Sequence, residues 1–138
     1  MLGRGLSATA AVGFGASALM HLASFTPLSE RIRDGWVLAL FAGAFALLGV
    51  MLVRLRRADT PERQWKHFRV YDWRAVAGRV PPAFRGLVAA TAAYSVLNFG
   101  LSLLAEAGSL RIASGQLLLF YLIPLVYFRF ADSAGPGI

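Results

Sequence analysis

The chain alternates between four long apolar runs and the polar joints that separate them. The runs extend from about Leu6 to Leu22, Trp36 to Val53, Gly86 to Glu106 and Ile112 to Phe128. A bilayer crossing needs about 20 residues at about 1.5 Å of rise each, and each run approaches that length. Polar residues inside the runs are ordered rather than scattered. In the third run Tyr94, Asn98, Ser102 and Glu106 recur every four positions, a slowly drifting stripe along one helix face. Such a stripe costs free energy in hydrocarbon unless it faces protein or water. The pattern predicts one all-α domain over residues 1–138, an antiparallel bundle of four transmembrane helices. The third helix organises it and turns its stripe inward.

The first two runs carry rows of small residues. Thr9, Gly13, Ser17 and His21 form one row, and Ser7, Ala11 and Gly15 the row beside it. Ala39, Gly43 and Ala46 make one small face of the second run, and Ala42, Ala46 and Gly49 another. Small rows let helices approach closely in lipid, and packing is their simplest role. The first run also has the outline of a secretory signal peptide: Arg4, an apolar stretch, then Ala16, Ser17 and Ala18. The reading adopted is a retained span.

Between the first two runs lies a short polar link, with Pro27 as turn former and Ser29 as a cap for a brief turn. Residues 54–85 form the substantial extramembrane segment, a basic link rich in Arg and Lys. Thr60-Pro61 has the form of a helix start, and Asp72 that of a second one ending at Gly78 before Pro81-Pro82. Arg54, Arg56, Arg57, Lys66 and Arg69, with Trp65 and Trp73, suit lipid headgroups or a partner surface. Pro124 in the fourth run cannot donate to the carbonyl of Phe120, which predicts a local bend. The tail after Arg129 carries no structural pattern.

Basic residues set the orientation. Arg4, the link and Arg129 fall on one side; Arg31, Arg33 and Arg111 fall on the other. The richer side is expected to be cytoplasmic, with both termini inside the inner membrane. Composition agrees with a bilayer protein: 57% apolar residues, 15% charged and a mean hydropathy of +0.59. A net charge of +7 can signal nucleic acid. Here topology and anionic lipid account for it, and nucleic acid is not expected as a partner. The chain has no cysteine, which removes disulfides, thiolate metal sites and cysteine nucleophiles.

The candidate polar intramembrane cluster is His21, Tyr94, Asn98, Ser102, Glu106 and Gln116. The first and third spans end on the same side as the fourth begins, so these residues converge there with Ser114. His21 and Glu106 are placed to pair in a proton-linked or cation-binding site. The simpler reading is an interhelical hydrogen-bond clamp. Haem would need a second axial ligand beside His21, and His67 lies in the link. Neither a nucleophile elbow, an HExxH motif, a P-loop nor a dinucleotide fingerprint is present. No enzyme activity, metal or cofactor is expected.

Several motifs carry a resemblance. They are HLAS at His21 to Ser24, an element of Trp36 and Leu38 running to Gly43, WRAV from Trp73 with Pro81 after it, YSVLNF from Tyr94 to Phe99, and SGQLLLFY from Ser114 to Tyr121. Together they make the chain similar to a family of small four-span bacterial membrane proteins of unassigned function. The resemblance implies four spans and no activity. It also implies histidines where this chain has Phe41 and Gln116, so no metal role carries over. Two function classes remain. One is a non-enzymatic accessory subunit packing against a larger membrane complex, with Phe120, Tyr121, Tyr127 and Phe128 and the small faces as contact surface. The other is a small homo-oligomeric channel or proton-linked transporter using the stripe of the third span.

Overall fold

A computed structural model describes residues 2–58, 77–105 and 108–131 of the chain. Four helices in it are long and apolar enough to cross a membrane: α1 (Leu2–Ala23), α2 (Asp34–Ala58), α3 (Pro82–Leu104) and α4 (Ser109–Val126). The protein is an all-α bundle and a multi-pass membrane protein. Strands are absent among the described residues.

Local chemistry sets the ends of these helices. The α1–α2 link holds a short 3₁₀ turn, Pro27–Arg31. Its cap is Thr26, whose Oγ1 accepts from the Leu28 N–H at 3.3 Å; Ser29, the residue expected to cap it, lies inside the turn. Asp34 opens α2, where a carboxylate complements the free N–H groups. Before α3, residues 77–79 are helical and the chain breaks at Val80, two residues past the expected stop at Gly78. Pro82 then occupies the first turn of α3, where its missing N–H leaves no bond unmade. Arg85 N–H donates to the Pro81 carbonyl at 3.1 Å, closing that turn. Two residues after Pro124 the α-helical pattern of α4 gives way to a π-helical turn, Tyr127–Ala131. The Thr60-Pro61 and Asp72 helix starts lie outside the described residues.

Cross-helix contacts give the directions. Gly13 and His21 of α1 face Tyr121 and Ser114 of α4, so these two run antiparallel. Ser95 and Asn98 of α3 face Gly115 and Arg111, again antiparallel. Leu40 and Arg54 of α2 lie beside Tyr121 and Phe128, so α2 runs parallel to α4. All four directions agree with an up-down-up-down path.

The organising element is α4, not α3 as the stripe implied. Buried residues make up 44% of its span against 17–22% in the other three. Its residues explain this. Ser114 and Gly115 are small enough for α1 and α3 to come close, and Tyr121 fills the gap between α1 and α2. The larger apolar core joins Ala10 of α1 and Ala44, Leu47 and Met51 of α2 to Leu117, Tyr121 and Phe128. A smaller one packs Val80 against Leu122 and Val126.

Tyr121 is the main joint of the larger core. Its hydroxyl donates to the Leu40 carbonyl at 2.7 Å. A Cβ on Gly13 would lie 2.0 Å from its ring, and one on Gly43 would lie 2.7 Å from its hydroxyl oxygen. The small row that α1 turns inside is Gly13, Ser17 and His21; Thr9, the first member of that row, is exposed. On α2 neither expected small face is turned inside as a whole: Gly43 meets Tyr121, while Ala39 and Ala46 are exposed. The rows of Ala11 and Gly15, and of Ala42, Ala46 and Gly49, are left facing out.

Candidate functional site

Three helices bring polar side chains together at the end of the bundle where α1 stops and α4 starts. The buried residues of α3 are all polar: Ser95, Asn98 and Ser102. From α1 comes His21, 6% exposed, and from α4 come Ser114 and Gln116.

The hydrogen bonds fix the roles of these groups. Ser95 Oγ–H donates to the Gly115 carbonyl at 3.0 Å, and Gln116 Nε2–H donates to the Ser95 carbonyl at 3.0 Å. The side chain of each helix thus holds the backbone of the other. Asn98 Nδ2–H donates to the Arg111 carbonyl at 3.1 Å. Ser102 Oγ–H points to Asn98 Oδ1 at a long 3.5 Å. Close approach is possible because residue 115 is glycine: a Cβ there would sit 2.3 Å from Asn98 Nδ2 and 3.5 Å from His21 Cε1.

His21 ties α1 into the same cluster. Its Nδ1 lies 2.9 Å from Ser114 Oγ, and its Nε2 is hydrogen-bonded to the Tyr94 hydroxyl. The Ser114 hydroxyl also lies 3.3 Å from the Arg111 carbonyl. Donation to that carbonyl goes with the proton on Nδ1 and Nε2 accepting from the Tyr94 O–H; donation to Nδ1 goes with the other tautomer, Nε2–H donating to the Tyr94 hydroxyl. The order is Tyr94 to His21 to Ser114 to the Arg111 carbonyl. Phe25 and Tyr94 flank the imidazole edge-on, at 5.2 and 5.5 Å between ring centres.

Measured against the expected cluster, His21, Tyr94, Asn98, Ser102 and Gln116 do converge. Tyr94 sits at its rim, 40% exposed, with only its hydroxyl turned in. Glu106 lies outside the described residues. Among the described residues, the partners of His21 are two hydroxyls, one at each ring nitrogen. Sequence reasoning passed over Ser95, whose offset of three from Asn98 was its signal, and the anchoring role of Tyr121. Arg111, expected only as an interfacial charge, supplies the carbonyl on which Asn98 and Ser114 converge.

The expected headgroup residues are only partly visible. Arg54 is half-buried, with its guanidinium 5.8 Å from the Phe128 ring centre. The side chains of Arg56 and Arg57, and all of Trp65, Lys66, Arg69 and Trp73, lie outside the described residues. Tyr121, Tyr127 and Phe128 are buried, so they do not offer the outward contact surface expected of them. Phe41, where the resemblance implied histidine, packs beside Phe45 and Phe120. Among the described residues, no three His, Asp or Glu side chains stand together as a metal site.

Chemically, the cluster is an interhelical clamp. Its donors and acceptors are matched across α1, α3 and α4. Comparison with protein-family models, curated proteins and solved structures finds no match.

Proposed function

We propose that the chain is a non-enzymatic accessory subunit that packs against a larger complex in a bacterial inner membrane, with both termini cytoplasmic. The observation that carries this reading is the outward row of α2. Gly35, Ala39, Ala42, Ala46 and Gly49 are all exposed, spaced alternately four and three apart. Nothing lies within 4 Å of a Cβ placed on Gly35 or Gly49. Alternating steps of four and three hold one helix face, and small residues let another backbone approach closely. The resemblance to small four-span bacterial proteins supports the location. The excess of basic residues at the end of the bundle holding Arg4 and Arg54 supports the orientation.

The test is purification of the tagged chain from its native membranes in a mild detergent, beside an Ala42→Leu/Ala46→Leu variant. A heterologous membrane complex should accompany the parent chain and be lost from the variant, while both keep the same helix content. Isolation of the parent chain alone, or only with copies of itself, contradicts the reading.

A homo-oligomeric channel or proton-linked transporter is the second reading. The hydrogen-bonded order Tyr94, His21, Ser114 favours it, since it aligns three exchangeable protons. Against it, that order ends on a backbone carbonyl. Proton flux into liposomes that is no faster with the protein than without it removes this reading.

A further inference from the structure

Net charge is divided unequally between the two ends of the bundle. Among the described residues, the end holding the polar clamp carries Arg31, Arg33 and Arg111 against Glu30 and Asp34, whereas the other end carries Arg4, Arg54, Arg79, Arg85 and Arg129. The basic excess of these residues therefore lies mostly away from the clamp. Without a diffuse positive field, anion capture at the clamp end depends on local geometry.

Arg111 has that geometry. Its carbonyl accepts from Asn98 and Ser114, so its backbone is held from α3 and from within α4. Its guanidinium carbon lies 4.2 Å from the centre of the Phe25 ring. Its Nε is buried and has no hydrogen-bond partner among the described residues. A cation over a ring face is attracted by the π system, but that contact leaves the N–H without an acceptor. A buried donor without an acceptor is costly and calls for an explanation.

The position narrows the choice of acceptor. Arg111 stands at the start of the apolar span of α4, where the hydrocarbon gives way to headgroups. A guanidinium matches a phosphate with two parallel N–H···O bonds, and the ring beneath keeps its plane in place. We propose that Arg111 and Phe25 form a binding point for a phosphate oxyanion, carried by a phospholipid headgroup or free in solution. The Arg111 guanidinium supplies its donors. This site is independent of any partner complex on the α2 face.

The Arg111 Nε–H resonance reads this site directly. The full chain is labelled with ¹⁵N-arginine in a maltoside detergent, and the resonance is assigned by its loss in Arg111→Lys. It is then titrated with short-chain phosphatidylglycerol, with inorganic phosphate, and with an uncharged short-chain glycolipid as control. A saturable downfield shift with phosphatidylglycerol is expected, and none with the control. The same shift with inorganic phosphate alone assigns the ligand as a free anion; a shift with lipid only assigns the headgroup. Phe25→Leu should weaken binding several-fold while the resonance stays visible. An Arg111 resonance unmoved by either phosphate source overturns the proposal.

Discussion

The side-chain nitrogen of Asn98 fills the space that a Cβ on Gly115 would need, at 2.3 Å from that position. The contact joins α3 to α4 at the point where His21 also arrives from α1. Gly115→Ala must push Asn98 off the Arg111 carbonyl or separate the helices. Overpacking of this kind costs about 1–3 kcal/mol. We expect a clear fall in the detergent melting temperature of Gly115→Ala. Gly15→Ala, where nothing lies within 4 Å, should melt at or slightly above the parent.

Asn98→Leu tests the same joint from the other side. It removes the donor to the Arg111 carbonyl and the acceptor of Ser102. Interhelical polar contacts in membranes contribute about 0.6 kcal/mol on average and at most about 2. The variant should insert normally and unfold at lower denaturant concentration. A midpoint equal to that of the parent would show that the amide holds nothing together.

Tyr121 gives a second, separable prediction. Tyr121→Phe keeps the ring between Gly13 and Gly43 and removes only the bond to the Leu40 carbonyl. A loss of about 1 kcal/mol is expected. Gly13→Ala, which places a methyl 2.0 Å from the ring, should cost more. Equal melting of the two variants would contradict the placement of Tyr121 as the joint of α1, α2 and α4.

The tautomer of His21 is a spectroscopic prediction. The Ser114 hydroxyl can donate only once, and if it donates to the Arg111 carbonyl the imidazole proton belongs on Nδ1. In ¹⁵N-histidine spectra of a His67→Asn chain at alkaline pH, Nδ1 should show the bonded proton and Nε2 the lone pair. Tyr94→Phe should move the Nε2 signal and leave the Nδ1–H assignment unchanged.

Much of this architecture was legible in the residues. Four apolar runs gave four helices, and Asn98 and Ser102 do turn inward. The third inward residue is Ser95, because steps of four advance about 40° beyond a full turn each time. From Tyr94 to Ser102 a stripe of fours drifts by about 80°, whereas alternating three and four, as in Ser95, Asn98 and Ser102, holds the face. The primacy of α4 was hidden for another reason. Lipid and a protein interior are equally apolar, so Leu117 and Leu119 look alike in sequence although only Leu117 is fully buried. The same ambiguity concealed the inward turn of Tyr121, Tyr127 and Phe128. Steric fit decided it, through Gly13 and Gly43 in the case of Tyr121.

That α3 docks over residues 95–104 through polar side chains, with the apolar residues between them facing lipid, is tested most directly by spin labels. The chain has no native cysteine, so single cysteines can be placed at residues 95–104 without background. Oxygen collision rates in liposomes report exposure to acyl chains. They should be low at Ser95, Asn98 and Ser102 and high at Val96, Leu97 and Leu104, matching exposures of 4% for Asn98 and 63% for Leu97. A label at Asn98 that meets oxygen as often as one at Leu97 would contradict the account.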